Sequence, residues 1–226
     1  MGFIIYFIII MAGPLLVQMY LRNTYSKFQK VQASSGLTGS QAARRILDEN
    51  GLYDVSVEQV GGHLSDHYDP RARSVRLSSA NYNSTSIAAI SVAIHEVGHC
   101  LQQKDRYVPL RFRHALVPVA NIGSNVSFIL ILIGMLLSST NLLLLGIIAM
   151  AAAVLFQVVT LPVEFNASSR ALNVMVGSGL IRNDEEYRAR KVLSAAALTY
   201  VAATVVAVAE LLRFVLMFTG MQNDED

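Results

Sequence analysis

Apolar residues fall into four long runs separated by polar stretches. Phe3 to Leu21, Leu116 to Leu137 and Leu142 to Leu161 hold no Asp, Glu, Lys or Arg, and Ala195 to Phe218 holds only Glu210 and Arg213. About 20 apolar residues cross a hydrocarbon core of about 30 Å as a helix, so each run reads as a membrane span. The first has no basic residues ahead of it, and Arg22, Lys27 and Lys30 follow it, which reads as an uncleaved anchor and not a signal peptide. The pattern divides the chain into an anchor (1–21), a polar domain (22–115), a two-span hairpin (116–161), a second polar segment (162–194), and a last span with an acidic tail (195–226).

Within 22–115, Thr38-Gly39-Ser40 leads into helix formers from Gln41 to Glu49, with Gly51 behind them, which predicts a short capped helix. Alternation over Asp54–Val60 and Ser74–Ser78 predicts two strands, with turns at Gly61-Gly62 and Asp69-Pro70. Ser84-Thr85-Ser86 offers an N-cap for a helix from Ile87 to Gln103. That helix is apolar on most faces but is interrupted by His95, Glu96 and His99, which predicts a buried helix rather than a span.

Composition sharpens this picture. The 226 residues are 53% hydrophobic and 15% charged, against about 25% charged in soluble domains. A net charge of +2 and the absence of Trp give no case for a nucleic-acid partner, and the single Cys100 excludes an intrachain disulfide. Of 18 Lys and Arg, 12 lie between Arg22 and Ala115, 5 between Pro162 and Ser194, and the last is Arg213. Basic residues favour the cytoplasmic side of short loops. Four spans then leave both polar segments on the cytoplasmic face of the cell's inner (cytoplasmic) membrane.

The buried helix carries His95-Glu96-Val97-Gly98-His99. Residues four apart share a helix face, so both imidazoles can reach one metal ion while Glu96, one step round, addresses its water. Catalytic zinc usually takes a third protein ligand. The continuation with Gly at 102 and His at 105 is missing; the chain has Gln102 and Asp105, and without the glycine turn Asp105 is a poor ligand. The best third donor is Glu164 in Leu161-Pro162-Val163-Glu164-Phe165, with Pro162 read as a helix start. An out-and-back span pair between His99 and Glu164 returns the chain to the same side.

With these motifs in hand, the chain resembles the YugP-like membrane zinc metallopeptidases of bacteria and, more distantly, the HtpX and type I CAAX prenyl protease group. The resemblance rests on the leading span, Gly36-Leu37-Thr38-Gly39, Gly62 to Pro70, Ala93 to His99, and Leu161 to Phe165. It implies one zinc per chain in a gluzincin-type site, with His95, His99 and Glu164 as ligands and Glu96 as general base. The HtpX-like third-ligand motif continues E-[FY]-x-A-D, its Asp partnering a zinc-bound histidine. Here Ser168 stands at that position, so Ser168, Asn166 or Asp66 holds the partner role.

His67 and Arg170 are further site candidates, as oxyanion or ligand-orienting groups, with Tyr82 and Tyr107 as unranked donors. Glu210 and Arg213, i and i+3 in the last span, are expected to pair, because ionisable groups at that depth are costly. Cys100 reads as packing. The sequence thus predicts a mainly α integral membrane metalloendopeptidase with a compact α+β zincin-like domain. Its partners would be the lipid bilayer and a protein or peptide substrate, and Ser74–Ser78 is a candidate edge strand for pairing with an extended substrate. A non-enzymatic scaffold with a structural metal site and an intramembrane-cleaving protease are the competing readings.

Overall fold

The computed structural model describes residues 2–62 and 64–223. His63 and the acidic residues 224–226 lie outside the described residues. The order is α1 (Gly2–Gln29), α2 (Gly39–Glu49), β1 (Ser56–Val60), β2 (His67–Asp69), β3 (Ser74–Ser78), α3 (Ser79–Tyr82), α4 (Ile87–Lys104), α5 (Val108–Leu136), α6 (Thr140–Gly177) and α7 (Asn183–Asn223). Four of the described helices, α1, α5, α6 and α7, are long and apolar enough to cross a membrane. The chain divides into two compact units.

Among the described residues, one unit comprises 2–15, 108–163 and 200–223. Its helices pack through small residues and a cluster of Ile131, Leu143 and Ile147 with Leu211, Phe214, Met217 and Phe218. At Gly134 an added Cβ would stand 2.7 Å from the Leu143 backbone nitrogen, so α5 and α6 meet where a side chain cannot fit. Close backbone approach of this kind supplies packing where lipid offers no hydrophobic drive. The expected pair forms: Arg213 Nη2 lies 2.7 Å from Glu210 Oε2, and the Tyr6 hydroxyl donates to Glu210 Oε1. Glu210 and Arg213 thereby satisfy one another, with Tyr6 as a further partner.

The other unit comprises 16–107 and 164–199. Thr38 caps α2 in a capping box with Gln41: Gln41 N donates to Thr38 Oγ1, and Thr38 N donates to Gln41 Oε1. Ala42, Ala43, Ile46 and Leu47 of α2 face a core shared with Val75 and Leu77 of β3 and with Ile87, Ile90, Ala93, Ile94 and Val97 of α4. Burying each of the larger aliphatic side chains contributes about 1.5 to 3 kcal/mol, which makes α4 the axis of this unit. Ser86 caps α4, its Oγ accepting from Ala89 N at 3.1 Å.

The sheet has the order β1-β3-β2, with β1 parallel and β2 antiparallel to β3. Ser74–Ser78 is therefore the central strand and not the expected edge; Val75 and Leu77 are fully buried, and neighbours occupy both its hydrogen-bonding sides. The His67–Asp69 strand was not expected, because three polar or aromatic residues carry no alternation. It is held by pairing to β3 and by the Tyr68 hydroxyl, which donates to Gln103 Oε1 at 2.7 Å.

Two further expectations change. Pro162 does not begin a helix: α6 runs unbroken from Thr140 to Gly177 with Pro162 inside it. The proline removes one backbone donor, a defect that apolar helices tolerate when neighbouring groups satisfy the freed carbonyl. The last span also begins earlier than its apolar run: α7 starts at Asn183 inside the polar segment 162–194, with Asp184, Glu185 and Glu186 in its first turn. Buried Glu185 accepts from Ser34 N, Ser34 Oγ and Arg182 N at 2.6–2.9 Å, tying this helix start to the segment after α1.

Candidate metal centre

The α4 helix presents His95 and His99 on one face, their rings 4.9 Å apart between centroids and nearly perpendicular. Facing them is Glu164 of α6, which is 2% exposed. Its Oε2 stands 3.2 Å from His95 Nε2 and 3.7 Å from His99 Nε2, and the three ligand atoms lie within 4.8 Å of one another. Donors about 2.1 Å from a tetrahedral zinc stand roughly 3.4 Å apart, so the spacing and the donor set, two imidazoles and a carboxylate, suit that ion. Asp105, the other acidic residue near the motif, is turned away into an ion pair with Arg170.

The close approach of α4 and α6 is set by Gly98. A Cβ there would stand 2.7 Å from the Ala167 carbonyl oxygen and 3.3 Å from its Cα. Both are backbone atoms, so no rotamer change relieves the clash. Gly98→Ala is expected to push the helices apart, destabilising the protein by about 1 to 3 kcal/mol and weakening zinc binding together. Thermal unfolding in detergent and chelator competition on the same sample check this; unchanged zinc affinity would mean that the helix spacing does not set the site.

Each imidazole has a second partner at Nδ1, leaving Nε2 toward the centre. Ser168 Oγ lies 3.2 Å from His95 Nδ1, and Gln102 Oε1 lies 3.0 Å from His99 Nδ1. Ser168, one helical turn beyond Glu164, thus occupies the position where the related motif carries an aspartate. Asn166 contacts neither imidazole in the hydrogen bonds described; it accepts from Gln102 Nε2 at 3.0 Å and from Arg170 Nε at 2.8 Å. Asp66 is engaged elsewhere, accepting from Ser78 N at 2.7 Å and Asn81 Nδ2 at 2.9 Å, where it holds the end of β3 to α3.

Gln102 is the residue that sequence reasoning missed. It is fully buried, and the available signal was an uncharged amide three residues past His99 on the same helix. Burial alone would lower the His99 imidazole, but its hydrogen bond with Glu164 and the charges of Glu96 and Glu164 prevail and hold it above its ordinary pKa.

Glu96 is 8% exposed and lies between the two histidines on α4. His67 is exposed on β2, its Nδ1 2.8 Å from the Ser65 carbonyl oxygen, and no described hydrogen bond joins it to the triad. Arg170 is held by Asp105 and Asn166 and lies 6.0 Å from the centroid of the Tyr107 ring. Tyr82 packs at the edge of the core. Cys100 is buried, its Sγ 3.4 Å from the Glu96 carbonyl oxygen, and burial pushes the thiol up, which fits a packing role.

Comparison with known proteins agrees with this chemistry. Residues 3–219 match the sequence profile of a family described as "putative neutral zinc metallopeptidase". The chain is 58% identical over 207 residues to the "putative membrane protease YugP" of Bacillus subtilis (strain 168), covering 92% of each chain. No solved structure matches. With a profile spanning nearly the whole sequence and a curated relative aligned along most of its length, the chain belongs to the neutral zinc metallopeptidase family.

Proposed function

We propose that this membrane metalloprotease is an endopeptidase that hydrolyses proteins or peptides presented at the cytoplasmic face of the cell's inner membrane. The carrying observation is the convergence of His95 Nε2, His99 Nε2 and the Glu164 carboxylate on one point, with Glu96 between the histidines on α4. His95, His99 and Glu164 would hold one zinc ion. When bound, zinc supplies Lewis-acid polarisation of the scissile carbonyl and makes water more acidic. Glu96 is the general base: its carboxylate takes a proton from the attacking water and delivers it to the leaving amine nitrogen. The bond that forms is carbonyl carbon to water oxygen, and the bond that breaks is the amide C–N. Ser168 and Gln102 keep the two imidazoles oriented through their Nδ1 atoms.

Residues 22–107 and the segment carrying Glu164 compose a zincin-like domain in this reading, and the 12 and 5 basic residues of segments 22–115 and 162–194 favour the cytoplasmic side. An extended substrate would pair with β2, one of the two edges that the β1-β3-β2 order leaves. The Tyr68 bond to Gln103 ties that edge to the helix bearing the histidines. The exposed His67 on the same strand would then contact substrate backbone and not the metal. The substrate polypeptide and the bilayer are the partners.

The test uses the full chain in detergent or nanodiscs. We expect about one zinc per chain by elemental analysis, and cleavage of an unfolded casein-like protein that a chelator abolishes and added Zn²⁺ restores. Cleavage that survives complete zinc removal would refute the mechanism. A stoichiometric zinc that supports no cleavage of soluble or membrane-tethered polypeptides would favour a structural metal site.

A further inference from the structure

A chain of side chains runs from the end of α4 across to α6 and back to the candidate ligand His99. Asp105, at the C-terminal cap of α4, pairs with Arg170 Nη1 on α6. Arg170 Nε donates to Asn166 Oδ1 at 2.8 Å, one turn earlier on α6. Gln102 Nε2, back on α4, donates to the same oxygen at 3.0 Å, and Gln102 Oε1 lies 3.0 Å from His99 Nδ1. His99, Gln102 and Asp105 recur every three residues on α4, while Asn166 and Arg170 are four apart on α6, so each helix presents its share on one face.

The direction of every bond in this chain follows from its first member. A guanidinium is always protonated and can only donate, so the atom of Asn166 that faces it must be the amide oxygen. That oxygen then requires the amide nitrogen of Gln102, which leaves the Gln102 oxygen toward His99. An oxygen in that place accepts only from an imidazole protonated at Nδ1, and a neutral ring protonated there has its lone pair at Nε2. Amides and imidazoles can each be turned end for end at little cost in isolation. Here the one group that cannot be reversed stands at the far end.

We propose that Arg170 is a positioning residue which, through Asn166 and Gln102, sets the tautomer of His99 and so presents Nε2 to the metal. This inference rests on the reading of His99 as a zinc ligand, and it assigns Arg170 a role through other side chains and not in contact with substrate. The Asp105 carboxylate fixes the guanidinium, and the same chain fastens α4 to α6 beside the Gly98–Ala167 contact.

The test measures Zn²⁺ affinity of the full chain in detergent by chelator competition, together with the His99 ring ¹⁵N shifts of the metal-free protein at a pH where the ring is neutral. Arg170→Met and Asn166→Leu are expected to weaken zinc binding about tenfold or more, within the range typical for partners of metal ligands, and to shift His99 toward a mixture of tautomers. Asn166→Asp keeps an acceptor for both donors and is expected to stay within about threefold of the parent, well inside that range. A merely structural role would lower stability without moving the tautomer. Wild-type affinity in Arg170→Met and Asn166→Leu, Nε2 protonation of His99 in the parent, or equal losses in Asn166→Asp and Asn166→Leu would each overturn the proposal. His99→Ala separates the two readings: if it keeps zinc, the ligand reading itself fails; if it loses zinc while Asn166→Leu does not, only the positioning chain fails.

Discussion

Glu164→Ala is expected to remove zinc from the protein and abolish hydrolysis. The carboxylate is 2% exposed and faces both imidazole Nε2 atoms, so its loss leaves two neutral donors and no compensating charge at the centre. Losing a partner of a metal ligand typically costs 10- to 100-fold in affinity, and loss of a ligand is expected to exceed about 100-fold. Glu164→Gln preserves the shape and removes the charge, and Glu164→Asp shortens the reach by one methylene; both should fall between the parent and Ala. Chelator competition and elemental analysis on folded, monodisperse protein measure this. Full zinc occupancy in Glu164→Ala would show that another residue completes the site and would overturn the ligand set together with the pairing of α4 and α6.

Glu96→Gln is expected to separate binding from turnover. The amide keeps the volume and the helix propensity of the glutamate but cannot accept a proton from water, so zinc should remain at about one per chain while kcat falls by about 10² to 10⁴-fold. KM for a peptide substrate should change far less, because in the proposed mechanism Glu96 acts on the attacking water and not on substrate binding. Single-turnover assays with a quenched peptide, beside zinc analysis of the same preparation, give both quantities. Loss of zinc in this variant would make Glu96 a ligand; undiminished kcat would place the base elsewhere.

Local signals carried much of this protein. Four runs without or nearly without charges predict four helices of span length, because no other backbone arrangement of about 20 residues satisfies its polar groups in hydrocarbon. The capping residues Thr38 and Ser86 marked where α2 and α4 begin, since a side-chain oxygen beside the first free N–H groups is a local requirement. The i, i+4 spacing of His95 and His99 is likewise a property of one helix, legible without any neighbour.

What failed to show in the sequence depends on contacts between distant segments. Ser74–Ser78 carried the alternation of a strand, but whether a strand is central or an edge depends on who pairs with it, and the β2 partner is too short to signal itself. Pro162 was a sound local start signal for a helix, but the continuous α6 runs through it. The resemblance left the histidine-partner role to Ser168, Asn166 or Asp66; the fold put Ser168 against His95, left Asp66 at the end of β3, and brought in Gln102 for His99. The sequence by itself determined the four apolar helices, the helix with its two histidines and Glu96, and the shortage of a third donor nearby. Glu164 was the best third donor in the sequence, but only tertiary structure brings its carboxylate to both imidazoles, because 64 intervening residues must first bring α6 within a glycine's width of α4, and no local propensity encodes that approach.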